Sequence, residues 1–317
     1  MSKSNIKTYD KQKSFINLYV SKNESEVNIL KKIKRKLYDK KILSKLNNYQ
    51  IKILNIVRDD LFKTNLNKKS IFKLTPNILN ELKLIDENDI PKYLFHRYRY
   101  DIFPETYQVD DYPPYLQIEP TSFCNYRCVF CFQTNKDFTK RSNGYMGKMK
   151  LDFFKYVIDE VKDKVEFISL ASRGDPLVAP NIIKMLEYTR GKFLNLKINT
   201  NASVLTERKC HAILSSGVRT IVFSADAADS DLYSKIRVNG KLEKVLKNIQ
   251  NFKRIREKHY ARSKIITRVS GVKINDQQNF TEMKKLWSEL VDQVAFVDYC
   301  QWENVYKMRS NEILKPC

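Results

Sequence analysis

The chain has 317 residues, of which 42% are apolar and 12% aromatic, with only 7 Gly and 9 Pro. This composition excludes disordered and collagen-like classes and provides enough apolar surface for a buried core. Lys and Arg (58) outnumber Asp and Glu (36), which gives a net charge of +22. Such a charge suits a polyanionic partner, but the even spread of Lys favours drift in base composition as its main cause.

No segment of the sequence predicts membrane insertion or export. There is no run of roughly eighteen or more apolar residues, and the N-terminal residues contain no apolar stretch suited to a signal peptide. We therefore expect a cytoplasmic protein without a transmembrane segment. Six cysteines in such a protein favour metal or redox chemistry over disulfide bonds, because cytosolic thiols are kept reduced.

The first 111 residues predict a basic, mainly helical region that ends in a linker. Residues 27–46 and 49–62 space their apolar residues at three and four, as short amphipathic helices do. We expect these helices to pack against the rest of the chain, although basic amphipathic helices also bind membranes or phosphate backbones. Residues 96–114 mix aromatic and charged residues with prolines and predict the linker.

Residues 112–302 predict an α/β domain, followed by the start of a possible C-terminal extension at 303–317. Short β-prone runs alternate with amphipathic helical runs, which indicates a parallel sheet covered by helices. The strands are predicted at 115–119, 166–172, 194–200, 220–226, 264–270 and 293–299. About six such units fit a partial or full barrel better than a doubly wound sheet, although periodicity alone does not choose between them.

Three cysteines, Cys124, Cys128 and Cys131, directly follow the first predicted strand. A loop that leaves the carboxyl end of a strand can wrap around a metal centre, and β/α barrels build their active sites at this end. Thiolates favour iron-sulfur clusters or zinc. Structural zinc usually takes four protein ligands, and no fourth Cys or His lies nearby in the sequence. Three thiolates on a four-iron cluster would leave one iron open for a ligand.

The spacing Cys-x3-Cys-x2-Cys, with Phe130 before the last cysteine, resembles the cluster loop of the radical S-adenosylmethionine (SAM) superfamily. The resemblance implies a 4Fe-4S cluster held by the three cysteines. It also implies that the open iron binds the amino and carboxylate groups of the methionine part of SAM. Phe130 would then lie near the adenine.

Two further motifs follow the second and third predicted strands. Gly174, Asp175 and Pro176 resemble the Gly-Glu-Pro motif of the family, which holds the SAM ammonium group, with Asp in place of the usual Glu. Thr200 and Asn201 resemble the Thr-Asn-Gly segment that ends the third strand in many relatives, with Ala replacing Gly. These motifs imply SAM contacts at all five positions.

The fourth strand carries a motif of one branch of the family. The Ser-Ala-Asp segment beginning at Ser224, and the Tyr-Ser-Lys-Ile-Arg segment ending at Arg237, resemble segments of the peptide- and sugar-modifying branch. Ser224 and Arg237 are therefore implied to contact the SAM ribose or carboxylate. Many relatives in this branch carry a C-terminal SPASM or twitch extension, which would begin near Cys317. Cys300 and Cys317 alone cannot hold an auxiliary cluster, and Cys210 is expected to pack in the core.

The resemblance covers about residues 115–299 and implies a partial (β/α)6 TIM-like barrel with enzymatic activity. Such an enzyme takes an electron from a reductant such as flavodoxin or ferredoxin and cleaves SAM to a 5'-deoxyadenosyl radical, which abstracts hydrogen from a substrate. We favour a small-molecule substrate, a sugar or surface-polysaccharide precursor, or a peptide. The alternatives are a tRNA-modifying radical SAM enzyme and a non-enzymatic, metal-stabilised nucleic-acid-binding module.

Overall fold

The structure is a computed structural model and describes residues 19–20, 26–62 and 70–299. Cys300, Cys317 and the predicted segment 303–317 lie outside the described residues. No helix in these described ranges is both long enough and apolar enough to cross a membrane.

The described residues form twelve α-helices and nine β-strands. The helices are α1 (Glu26–Leu37), α2 (Lys40–Leu43), α3 (Asn48–Phe62), α4 (Pro76–Leu82), α5 (Ile90–Glu105), α6 (Lys136–Thr139), α7 (Leu151–Val161), α8 (Ile182–Thr189), α9 (Glu207–Ser215), α10 (Ser230–Ile236), α11 (Leu242–His259) and α12 (Phe280–Ser288). The strands are β1 (Tyr19–Val20), β2 (Tyr115–Ile118), β3 (Arg127–Cys128), β4 (Phe167–Leu170), β5 (Asn195–Thr200), β6 (Val218–Ser224), β7 (Arg237–Val238), β8 (Ile266–Lys273) and β9 (Gln293–Asp298).

The main sheet has the strand order β1-β9-β8-β6-β5-β4-β2. The six strands from β9 to β2 run parallel, and β1 joins β9 in the antiparallel direction. These six are the predicted strands, and the helices that follow them complete a partial (β/α)6 barrel. The prediction of this fold class is confirmed. The carboxyl ends of the strands therefore meet at one end of the barrel, where active sites of such barrels form.

The two faces of the sheet differ in polarity. Alternate strand residues such as Ile168, Ile198 and Phe223 pack with the covering helices in the main hydrophobic cluster. Because successive strand side chains point to opposite faces, the residues between them face the barrel interior. Many of these interior residues are polar: Ser169, Asn195, Lys197, Asn199, Ser224, Arg268, Ser270 and Gln293. The inward face of the sheet is thus partly polar and does not form a second apolar core.

The N-terminal helices close the amino end of the barrel. They share a second hydrophobic cluster that includes Phe167, the first residue of β4. The ring of His96 stacks on Phe167 with 3.7 Å between centroids. Asp86 forms ion pairs with Arg219 at 2.9 Å, at the start of β6, and with Lys264, just before β8. The expectation that these helices pack against the rest of the chain is therefore confirmed, and the contacts of the described helices lie at the amino end of the barrel.

The predicted linker 96–114 is wrong over its first half. Helix α5 continues through it to Glu105 and carries Pro104 in its last turn, before the Pro113-Pro114 pair. The helix persists because its aromatic and aliphatic residues, such as Tyr98 and Phe103, are buried in the N-terminal cluster. Tertiary packing therefore outweighs the mixed composition that predicted a linker.

Candidate functional site

The three cysteines lie in the loop that follows β2. All three are free thiols; Cys128 is buried, and Cys124 and Cys131 are half-buried. The loop is anchored by a two-stranded antiparallel ladder between β3 and β7, in which Cys128 lies opposite Arg237. Its backbone also bonds within the triplet, since the Cys131 N–H donates to the Cys128 carbonyl at 2.9 Å. The sequence did not predict this ladder, which fixes the triplet against the segment after α10.

The three thiols are all at least half-buried. Burial raises the pKa of Cys124, Cys128 and Cys131. The negative charge of another thiolate of the triplet raises the pKa of each thiol further. Thiols of this kind stay protonated until a cation compensates the thiolate charge. Binding of a metal cluster would therefore release protons and stabilise the loop.

Several N–H groups point at the cysteine sulfurs. The Tyr126 backbone N–H donates to the Cys124 sulfur at 3.4 Å, and the Asn201 side-chain amide lies 3.7 Å from the same atom. The Arg237 guanidinium lies 3.7 Å from the Cys128 sulfur. Donors of this kind stabilise thiolates and tune the potential of iron-sulfur clusters.

The donor set fits a four-iron cluster better than one metal ion. Within the described part of the chain, no three His, Cys, Asp or Glu side chains are grouped to hold a single ion. One zinc needs its sulfurs converged at about 2.3 Å from one point, whereas a four-iron cluster takes one thiolate per iron. Three neighbouring thiols with N–H donors around them match the second requirement.

Asp175 links the second and third motifs. Its carboxylate is buried and accepts hydrogen bonds from the Thr200 hydroxyl at 2.9 Å, the Asn201 N–H at 2.7 Å and the Leu177 N–H at 2.9 Å. Burial raises the pKa of Asp175, and these donors oppose that rise. Asp175 thus braces the turn after β4 against the carboxyl end of β5. In this structure, its oxygens are engaged inside the protein.

Gly174 brings the turn after β4 against the cysteine loop. A Cβ at this position would lie 2.0 Å from the Thr121 carbonyl oxygen and 2.6 Å from the Phe123 oxygen. The next residue, Asp175, donates its N–H to the same Phe123 oxygen at 3.0 Å. Pro176 is buried and begins a 3-10 turn. The backbone at Gly174 thus packs closely against the segment that leads into Cys124.

Arg237 occupies a buried position beside the cysteine loop. Its Nε donates to the Asp226 carboxylate at 2.5 Å, and its guanidinium carbon lies 5.6 Å from the centre of the Phe130 ring. Although burial lowers the pKa of Arg237, Asp226 and the Cys128 sulfur together raise it above its ordinary value. Arg237 therefore carries a fixed positive charge between a carboxylate and the triplet. Ser224 is half-buried at the carboxyl end of β6.

The structure adds polar residues that the sequence analysis did not assign to the site. Asp226 is fully buried and also accepts from the Val272 N–H at 2.7 Å. Asn125 accepts from the Asn201 amide at 3.0 Å and donates to Ser203 at 2.8 Å. The Ser-Ala-Asp motif, which ends at Asp226, could have assigned this residue to the site from the sequence. For Asn125, the sequence offers only its position next to Cys124.

Six parallel strands form a β/α barrel, and a loop at its carboxyl end carries three thiols suited to a metal cluster. These features define the class of protein as a β/α barrel with a metal-cluster site. Residues 118–277, about half of the chain, match the family model of the radical SAM superfamily. The chain therefore belongs to the radical SAM superfamily, whose members are enzymes that use a 4Fe-4S cluster and SAM.

Characterised relatives are distant. The chain is 27% identical over 139 residues to the AdoMet-dependent heme synthase of Methanosarcina barkeri, covering 44% of this chain and 38% of that protein. It is 27% identical over 187 residues to the GTP 3',8-cyclase of Desulforamulus reducens, covering 58% and 54%. The chain thus spans about half or less of the length of these curated relatives.

A solved structure supports the fold. The Streptococcus suis protein SuiB, in its complex with the precursor peptide SuiA, superposes with a TM-score of 0.50 at 16% identity. The match covers 83% of this chain and 56% of that chain. At this identity the similarity establishes the barrel architecture.

Proposed function

We propose that this protein is a radical SAM enzyme whose cluster is held by Cys124, Cys128 and Cys131. The observation that carries the proposal is the convergence of the triplet with the turns after β4 and β5 at the carboxyl end of the barrel. Asn201 contacts both Cys124 and the Asp175 carboxylate, so one hydrogen-bonded network joins the three motifs. The cluster and SAM together supply a 5'-deoxyadenosyl radical that abstracts hydrogen from the substrate.

The proposal assigns roles to the surrounding residues. In it, the carboxylate of Asp175 fixes the orientation of the Thr200 and Asn201 backbone, which faces the SAM methionine. The other proposed SAM-binding residues are Phe130, Gly174, Pro176, Ser224 and Arg237. Arg237 neutralises charge next to Cys128, and the buried pair that it forms with Asp226 holds its guanidinium in place. The protein residues thus orient SAM and exclude water from it.

The inward face of the barrel favours a polar, hydroxyl-bearing substrate. It carries amide and hydroxyl side chains, among them exposed Gln117 and half-buried Asn199 and Ser270. Such groups hydrogen-bond sugar hydroxyls, which supports a sugar or surface-polysaccharide precursor over an apolar peptide side chain. The net charge of +22 supports tRNA as a second candidate, and tRNA binding would then weaken steeply as salt increases.

In this proposal the barrel domain comprises residues 112–302 and follows the N-terminal region 1–111. The electron donor is a flavodoxin or a ferredoxin.

Anaerobic reconstitution with iron and sulfide tests the assignment of the cluster to the three cysteines. We expect brown protein with about four irons per chain, and 5'-deoxyadenosine release from SAM after reduction. Cys128→Ala should lose both properties.

Cys210→Ala is the matched control, because Cys210 is buried in the core, on α9 and outside the cysteine loop. This variant should retain the iron and the SAM cleavage. Colourless wild-type protein, or full iron content in Cys128→Ala, would contradict the assignment of the triplet.

A further inference from the structure

Gln133 lies where the cysteine loop meets the turn after β4. It is 3% exposed and belongs to the 3-10 turn Phe132–Thr134, which directly follows the cysteine triplet. Its side-chain Nε2 donates to the Ser122 carbonyl at 2.8 Å and also to the Arg173 carbonyl. One amide group thus joins the segment before the triplet to the turn after β4.

Both carbonyl partners of this amide belong to segments that other contacts hold in place. The Ser122 N–H donates to the Gly147 carbonyl at 3.0 Å, and the Gly147 N–H donates back to the Ser122 hydroxyl at 2.6 Å. Arg173 donates its backbone N–H and its Nη2 to the Glu119 carboxylate, at 2.7 Å and 3.0 Å. Because a carbonyl can only accept, the Gln133 amide must present its nitrogen to both of them. Its oxygen is left for a different partner.

The amide oxygen of Gln133 has no such partner within the described residues. Oε1 is buried and accepts no hydrogen bond from any of them. Buried side-chain acceptors are normally paired, and leaving one unpaired is destabilising. The backbone N–H of the same residue hydrogen-bonds the Cys131 thiol and opposes the rise in its pKa that burial causes. Gln133 thus contacts the triplet and the turn after β4, and it carries an unpaired acceptor at their junction.

The carboxylate at this turn is already occupied. One oxygen of Asp175 accepts from the Leu177 N–H and the Thr200 hydroxyl, at 2.9 Å and 3.0 Å. The other accepts from the same hydroxyl and from the Asn201 N–H, at 2.9 Å and 2.7 Å. A carboxylate oxygen has about two lone-pair sites, so all the sites of Asp175 are in use. An amino group of a ligand at this turn therefore needs another acceptor.

We propose that Oε1 of Gln133 accepts a hydrogen bond from the amino group of SAM. This inference rests on the proposed function and adds a SAM-binding residue to it. The amino group supplies the donor that the buried oxygen lacks, and Asp175 has no free acceptor for it. Because the same amide bridges Ser122 and Arg173, it also fixes the position of this oxygen relative to the triplet.

Ligand binding to the anaerobically reconstituted protein tests the proposal without turnover. Equilibrium dialysis gives the dissociation constants of SAM and of an analogue in which hydrogen replaces the amino group. Gln133→Met retains the length of the side chain but removes the amide. This variant should lower the preference for SAM over the analogue roughly tenfold, the effect of losing a hydrogen bond of this kind.

The ratio of the two dissociation constants separates a direct contact from a structural role. Damage to the bridge alone would weaken the binding of both ligands equally and leave the ratio unchanged. The control Gln250→Met changes an exposed glutamine on α11 and should retain the iron content and both constants of the wild type.

Gln133→Lys separates the two parts of the amide. The Lys ammonium group has three N–H donors for the carbonyls of Ser122 and Arg173, but it has no acceptor. This variant should therefore retain iron and lose the preference for SAM as Gln133→Met does.

Three results would overturn the proposal. The first is an unchanged ratio in Gln133→Met at full iron content. The second, if Gln133→Met takes up little iron, is an unchanged ratio in Gln133→Lys. The third is a wild type that takes up iron but binds both ligands equally well. A wild type that takes up no iron would instead contradict the proposed function, and this inference with it, so the two kinds of failure are distinguishable.

Discussion

Replacing Gly174 by Ala should uncouple the turn after β4 from the cysteine loop. The added Cβ would lie 2.0 Å from the Thr121 oxygen and 2.6 Å from the Phe123 oxygen, whereas real Cβ atoms essentially never come within 3.0 Å of such atoms. Both partners are backbone atoms, so no side-chain rotation relieves the contact. One of the two backbone segments must move by at least about 1 Å.

The energetic cost has two sources. Overpacking in a well-packed region costs about 1–3 kcal/mol. The shift also breaks the hydrogen bond from the Asp175 N–H to the Phe123 oxygen, which contributes about 1 kcal/mol. We therefore expect Gly174→Ala to lower the free energy of unfolding by about 2–4 kcal/mol. Because the displaced segment leads into Cys124, iron incorporation should fall as well.

Anaerobic urea denaturation, followed by circular dichroism, measures the first effect, and the iron content after reconstitution measures the second. Gly147→Ala is the matched control, because a Cβ at Gly147 would have no atom within 4 Å. The control should be within about 0.5 kcal/mol of the wild type, as surface substitutions usually are. Equal stability and equal iron content in the two variants would refute the role assigned to Gly174.

Local patterns in the sequence were sufficient to predict the barrel fold and to locate the motifs. Each strand is a short β-prone run of the kind that the segment 194–200 illustrates, and the cysteine triplet is a contiguous signal. The sequence did not predict that the first half of residues 96–114 is helical. This part of α5 is stabilised by burial in the N-terminal cluster, which includes Phe167, about 70 residues away in the chain. A composition-based prediction cannot include a partner that only the tertiary fold supplies.

Long-range pairings in the site also could not be predicted. Arg237 lies against Cys128 although the two are 109 positions apart, and the sequence alone suggested only a SAM contact for this arginine. Similarly, Lys197 and Arg268 face each other because β6 lies between β5 and β8. These two cations are neighbours because of the strand order, which results from the packing of complete β/α units.

Two further predictions concern buried charges. Burial raises the pKa of Glu166 from 4.5 to about 7, so the folded state binds its proton more tightly than the unfolded state. Stability should fall by up to about 3 kcal/mol as pH rises from 4.5 to 7, and Glu166→Gln should remove this fall in urea titrations across that range. Arg237→Met leaves Asp226 fully buried without its cation, which should cost about 3–5 kcal/mol. Adding Asp226→Asn should recover much of this loss, because the amide oxygen can still accept the Val272 N–H while the uncompensated charge is gone. Equal stability of the single and double variants would show that charge compensation is not what holds Arg237 beside Cys128.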